Sequence, residues 1–225
     1  QVSEICLSDQ GIFSHAKPGT YFVDCSSIDI ATTKFLHETA RQLKLHMIDA
    51  PVSGGIAAAE AATLTMMVGG DAHDYEKLLP LLSIIAKKII HAGGDSMGQA
   101  AKICNNMLLA ISMIGVSEAF TLAKKLGLNE KTFFDISSHA SGQCWSMTSY
   151  CPVPNIIDNV PANRNYQPGF RASMMLKDLR LALNAAALVN GEIPLGKKSC
   201  ELYEKFSDAG NGELDFSAII RMLEK

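Results

Sequence analysis

At Gly93-Gly94 the hydrophobic pattern of this chain changes period, and no fold built on a single kind of layer accommodates both halves. Before that point short apolar runs alternate with helical stretches. Residues 20–26 (TYFVDCS), 46–53 (HMIDAPVS), 64–70 (LTMMVGG) and 88–92 (KIIHA) have the length and apolar content of strands. Residues 30–45, 55–62 and 74–86 read as the helices between them. Such alternation with short connections predicts a parallel or mixed sheet with helices on its faces. After the glycine pair the strands stop. Asp95 is placed to cap a helix N-terminus, and residues 96–126 can run as one long helix. Its stretch 103–116 is apolar nearly all round, as expected of a helix buried on every side. Gly127 closes it, and further helices are expected near 130–139, 172–189, 196–209 and 216–223. Residues 140–168, rich in Ser, Pro and Asn, form a long irregular connection, a kind of segment that often carries function. The expected fold is α/β followed by all-α, with domains over residues 1–93 and 94–225 linked by a long buried helix.

Composition narrows the function class. Apolar residues make up 48% of 225, so a sizeable core is affordable, and the net charge of −3 lacks the basic footprint of a nucleic-acid binder. A small-molecule partner is expected, with no nucleic acid and no membrane. The longest apolar run is broken by Asn105, Asn106 and Ser112, short of the roughly 20 residues that span a bilayer. Residues 1–19 have neither a signal-peptide nor a transit-peptide pattern. Cys6, Cys25, Cys104, Cys144, Cys151 and Cys200 form no C-x-x-C pair, and reduced thiols in an intracellular compartment are expected. The six histidines show no metal-ligand spacing, so no metal site is expected.

Four places could carry chemistry. Lys102 is the only charge between Asp95 and Glu118 on the long apolar helix. Desolvation makes such a lysine a candidate proton-transfer group, against the plainer reading that it snorkels to the surface. Asn106 lies one turn on and points the same way. Ser53-Gly54-Gly55, between a strand and a helix, lets backbone amides approach a carboxylate or phosphate, or is simply a tight turn. Lys177, Asp178 and Arg180 form a charged cluster that could equally be a solvated face. Trp145 and Tyr150, in the loop GQCWSMTSY, could cap a pocket or anchor the loop.

The order and wording of these segments go further. DAPVSGG (residues 49–55), GQAAKICNNML (98–108), SGQCWS (141–146) and GFRASMMLKDL (169–179), with the later IPLG and DFSAI, resemble the β-hydroxyacid dehydrogenase family over essentially the whole chain. The spacing of Gly98, Lys102 and Asn106 is highly specific for that family, and SGQCW favours its 3-hydroxyisobutyrate branch over the phosphogluconate dehydrogenases. The resemblance implies the C-terminal part of a Rossmann-type NAD-binding domain followed by a helical domain. It also implies oxidation of 3-hydroxyisobutyrate to methylmalonate semialdehyde with NAD, a step of valine breakdown. Lys102 would exchange a proton with the substrate hydroxyl, and Asn106 would orient it. Ser53, Gly54 and Gly55 would hold the carboxylate. Trp145, Tyr150 and Phe170 would line the pocket, with Asp178 on the substrate side. Ser27, where the family more often has Thr, and Lys177 would contact the cofactor. A homo-oligomer, dimer or tetramer, and the mitochondrial matrix are the family's expectations. The sequence contains no G-x-G-x-x-G leading a helix from a first strand. That absence raises a rival reading, a catalytically silent form that assembles through its helical domain. Dehydrogenation of a related acid such as serine is the other alternative.

Overall fold

The structure, a computed structural model, describes residues 1–223. Two compact units are present, Gln1–Cys104 and Asn105–Lys225. The first unit holds a five-stranded mixed sheet: β1 (Tyr21–Asp24), β2 (His46–Asp49), β3 (Val52–Ser53), β4 (Leu64–Gly70) and β5 (Ala86–Gly93). β1 pairs parallel with β2, and β4 pairs parallel with β5. β2 and β3 both run antiparallel to β4, in the registers Ile48↔Gly70 and Val52↔Met66. The single strand expected over 46–53 is therefore two. Pro51 has no amide proton to donate, and the pairing breaks there, although its carbonyl still accepts from Met67 N at 3.0 Å.

Helices α3 (Ile30–Gln42), α4 (Gly55–Glu60) and α5 (Ala72–Leu82) fill the connections. Asp29 and Asp71 begin α3 and α5 by accepting the amides of Thr32 and His73. The alternation of side chains along β2 sorts the core into two layers. Ile48 packs with Met66, Val68, Leu78, Leu82 and Ala86, whereas Met47 joins Leu36, Ala40, Leu45, Cys6 and Phe13. Cys6 and Phe13 belong to two short helices, α1 (Val2–Leu7) and α2 (Ile12–His15). No helix was expected before residue 20. Each of these is about one or two turns, too short for its periodicity to stand out.

The long helix, α6 (Met97–Lys125), starts in the first unit and continues into the second. Two expectations about it need correction. Asp95 does not cap it. Its carboxylate pairs with Arg41 at 2.6 Å and with His37 at 3.3 Å. Asp49, at the end of β2, takes the helix amides instead, accepting Ser96 N at 2.9 Å and Gln99 N at 2.8 Å. Nor is α6 buried on every side: Ile103, Asn106, Ala110, Met113 and Ser117 face inward, while Cys104, Leu108, Gly115, Leu122 and the following Leu126 are exposed. By length and composition α6 is also apolar enough to cross a bilayer, since its asparagines do not lower its mean hydropathy far enough. Half of that apolar window is buried within the protein, as in the core helix of a globular fold.

The rest of α6 forms the second unit's core with α7 (Glu130–Ser137), α8 (Trp145–Thr148), α9 (Ala172–Leu188), α10 (Pro194–Phe206) and α11 (Ile220–Leu223). Gly127, at φ 82°, ends α6 as expected: Leu128 N turns back to Ala123 O at 2.9 Å. The connection over 140–168 is less irregular than its composition implied. It contains α8 and a 3₁₀ turn, Pro161–Arg164, and Met147, Cys151, Val153 and Val160 from it are buried in the core.

Candidate active site

In the first unit the strand end at Val52 leads into Ser53-Gly54-Gly55. Gly54 and Gly55 have φ of 133° and 68°, values that other residues adopt at a cost, and a Cβ on Gly54 would sit 2.5 Å from Ala58 Cβ. The turn is therefore built for glycine. Helix α4 behind it has six residues, so the exposed backbone of the turn, more than a helix dipole, is what it offers an anion. Lys102 reaches this turn from α6: its Nζ donates to Val52 O at 2.8 Å. The ammonium thus lies beside the turn, half-buried, in keeping with neither a free surface lysine nor a sealed one.

Gly98 explains how Lys102 gets there. A Cβ at Gly98 would lie 2.4 Å from Met67 O and 2.6 Å from Asp49 O, so only glycine lets α6 start directly on the sheet. Asp49, fully buried, secures this crossing through the two helix amides, and His37 Nε2 lies 2.9 Å from its Oδ1. Next along the helix, Gln99 uses both ends of its buried amide on the loop after β1. Nε2 donates to Ser26 O at 2.7 Å, and Oε1 accepts from Ile28 N at 3.2 Å. Ser27 is the residue held between those two bonds.

In the second unit Asn106 donates to Asp178 Oδ2 at 2.6 Å, and Asn105 donates to Asn106 Oδ1 at 3.0 Å. The Asn106 amide is thereby fixed in one orientation. Asp178 is 5% exposed; its Oδ1 makes no hydrogen bond, with Lys177 Nζ 3.4 Å away. Arg180, by contrast, pairs with Glu204 at 2.6 Å on the exposed face, which is the solvated reading of that charge.

Aromatic rings form a second grouping in this unit. Trp145 stacks on Tyr150 with centroids 4.8 Å apart, Tyr150 stacks on Phe216 at 5.3 Å, and Phe170 meets Phe216 edge-on at 5.7 Å. Asp215 lies behind them, fully buried. Burial, and then the nearby Asp215 carboxylate, push the Tyr150 phenol far above its ordinary range, so it is a neutral donor throughout the working pH range.

Known proteins match this arrangement along its length. Residues 96–223 match the family model described as the NAD-binding domain of NADP-dependent 3-hydroxyisobutyrate dehydrogenase. Residues 1–94 match that of the NAD-binding domain of 6-phosphogluconate dehydrogenase. A Mycobacterium tuberculosis protein named a probable 3-hydroxyisobutyrate dehydrogenase is 43% identical over 99% of this chain and 75% of its own. The chain belongs to the 3-hydroxyisobutyrate dehydrogenase family. A solved structure of the M. tuberculosis 3-hydroxyisobutyrate dehydrogenase with L-serine superimposes with a TM-score of 0.91, covering 95% of this chain and 73% of that one. An NAD-dependent L-serine dehydrogenase of Pseudomonas aeruginosa is also 43% identical, over 99% of this chain and 75% of its own. A mitochondrial 3-hydroxyisobutyrate dehydrogenase of Drosophila melanogaster is 45% identical over 92% of this chain and 64% of its own.

The 3-hydroxyisobutyrate dehydrogenase family is one of NAD-dependent dehydrogenases, which makes NAD the cofactor, and the Rossmann-type α/β unit followed by a helical unit is its fold. The first unit offers such a cofactor an unpartnered buried polar atom. Asp24, at the carboxyl end of β1, keeps Oδ2 buried without a hydrogen-bond partner, beside the loop that carries Ser27. A donor from a bound ligand suits that oxygen.

Three residues with structural command of the site had no role in the sequence reading: Asp49, Gln99 and Asp215. Each lies inside a segment already quoted for the resemblance. The available signal was a polar side chain set among apolar or small neighbours, which must find partners if buried.

Proposed function

We propose that this chain performs the substrate-side chemistry of NAD-dependent oxidation of 3-hydroxyisobutyrate to methylmalonate semialdehyde, a step of valine breakdown. The observation that carries the reading is the Lys102 ammonium held at 2.8 Å from Val52 O, at the mouth of the Ser53-Gly54-Gly55 turn. Residues 1–93 act as the partial NAD-binding domain and 94–225 as the substrate and assembly domain.

In this reading the backbone of Ser53, Gly54 and Gly55 binds the substrate carboxylate. Lys102, once its ammonium has given up a proton to solvent, accepts the hydroxyl proton while the carbon–hydrogen bond at the carbinol breaks. Asn106, locked by Asp178, orients that hydroxyl. Trp145, Tyr150 and Phe170 form the apolar wall, and Ser27 and Lys177 hold the cofactor. NAD, when bound, supplies the hydride acceptor.

L-serine is a second substrate to consider, because one relative of 43% identity is named an NAD-dependent L-serine dehydrogenase and another is solved with L-serine. The exposed apolar stripe of α6, Cys104, Leu108, Leu122 and Leu126, supports assembly of like subunits as a dimer or tetramer. In a eukaryotic cell the proposed compartment is the mitochondrial matrix, in keeping with the Drosophila relative's name.

The test is NADH formation from 3-hydroxyisobutyrate and NAD, by this chain and by Lys102→Ala. Turnover is expected, and Lys102→Ala should lose it by roughly 10³-fold with an unchanged fold by circular dichroism. Near-normal turnover in the variant would remove Lys102 from the chemistry. No turnover from a folded wild-type chain would favour the silent, assembling form.

A further inference from the structure

We propose that Asp215 is a positioning residue that fixes the aromatic substrate wall through the Tyr150 hydroxyl and the Phe170 amide. This rests on the reading of Trp145, Tyr150 and Phe170 as substrate-facing.

A carboxylate buried without solvent needs several donors, and Asp215 has five. Its Oδ1 accepts Ser217 N at 3.0 Å and Ser217 Oγ at 2.6 Å. Its Oδ2 accepts Tyr150 Oη at 2.9 Å, Gly169 N at 2.9 Å and Phe170 N at 3.0 Å. The Ser217 bonds are local and close the turn that begins Phe216–Ile219. The three on Oδ2 come from residues 45 to 65 positions away in sequence, and two of those residues are members of the wall.

Gly169 shows how closely the node is fitted. A Cβ there would lie 2.7 Å from Tyr150 Oη, so a side chain at 169 would push the phenol off the carboxylate. Tyr150 in turn carries Trp145, which is 49% exposed and has Tyr150 as its ring partner. The order of dependence is therefore Asp215, Tyr150, Trp145. One chemical consequence follows. With its hydroxyl donated to Asp215 and its ring stacked on Trp145 and Phe216, Tyr150 offers no hydrogen-bond donor, so this aromatic grouping selects an apolar group on the substrate, such as a methyl branch. Asp215 sets substrate fit without touching substrate.

Trp145 is the only tryptophan in the sequence, which gives a direct optical readout independent of turnover. Tyr150→Phe keeps the stack but removes the donor; Asp215→Asn keeps the shape but sets an amide against three donors. Each variant, and the double variant, is to be examined by Trp145 emission, acrylamide quenching, and KM and kcat for 3-hydroxyisobutyrate. Both single variants should red-shift the emission and raise the quenching constant about two-fold. Both should raise KM by roughly 5- to 10-fold with kcat within about two-fold, and the double variant should be no worse than Asp215→Asn. A lower Tm with unchanged emission and KM in folded protein would mark Asp215 as structural only and overturn the proposal. Should Asp215→Asn not fold, Tyr150→Phe decides by the same readouts. If the wild-type chain turns over no β-hydroxy acid, the proposed function fails, and the emission and quenching results still decide this proposal either way.

Discussion

The two units solve one problem, holding a reactive group still, by opposite means. In the first, under the proposed reading, the groups offered to a ligand are the Lys102 amine and backbone, the turn at 53–55 and the loop around Ser27. Buried polar side chains arriving from elsewhere, Asp49 and Gln99, hold the supporting backbone in place. In the second, under the same reading, the offered groups are side chains, Asn106 and the aromatic residues, and the buried carboxylates Asp178 and Asp215 accept hydrogen bonds from Asn106 and Tyr150. The comparison teaches that buried polar side chains back both groupings of candidate residues. Removing one of these buried partners then costs the desolvation of whatever groups it leaves unpaired.

That contrast can be broken deliberately. The largest effect on stability is expected from Asp49→Ala, which strands the Ser96 and Gln99 amides and leaves buried His37 with only its 3.3 Å contact to Asp95. Loss of one partner from such a network costs about 3–5 kcal/mol, a fall of roughly 10 °C in Tm by calorimetry. An unchanged Tm would mean the helix seat does not depend on Asp49. A middle effect is expected from Asn106→Ala. Steady-state kinetics should show kcat/KM down about 10- to 100-fold with the NAD dissociation constant nearly unchanged by calorimetry. Equal losses in both would move Asn106 to a cofactor or structural role. The smallest is Gln99→Leu, which leaves Ser26 O and Ile28 N unpaired. It should raise KM for NAD about 3- to 10-fold while KM for the hydroxy acid moves less than two-fold. The opposite pattern would detach Ser27 from the cofactor.

Much of this architecture is legible in the sequence because it rests on local rules. Short apolar runs placed β1 and β4 within a residue or two, and Gly127 marked the end of α6, where the structure gives it a left-handed conformation. What was not legible depends on partners far away in the chain. Asp95 looked like a helix cap from its position, yet Arg41 and His37 claim it, and the capping carboxylate comes from Asp49, some 47 residues earlier. The exposed stripe on α6 was hidden for a related reason: a helix apolar on all sides does not reveal which face its own fold will cover. Of the candidate site, Lys102, the glycine turn and Asn106 stand out by position, and their roles come only from the resemblance carried by the order and wording of the segments. The service of Asp215 to Tyr150 could not, since residues 65 apart in sequence carry no shared pattern.

The contact of Gly98 with the sheet has one more consequence. It makes α6 a ruler with a fixed zero. Counting from Gly98, Lys102 and Asn106 fall at successive intervals of four, and each residue added or removed in between would swing everything beyond it by about 100° around the helix axis. Inside G-x-x-x-K-x-x-x-N the number of residues is fixed separately from their identity, which packing constrains at Gln99 and Ile103. A lengthened or shortened stretch would keep every chemical group and yet aim none of them correctly.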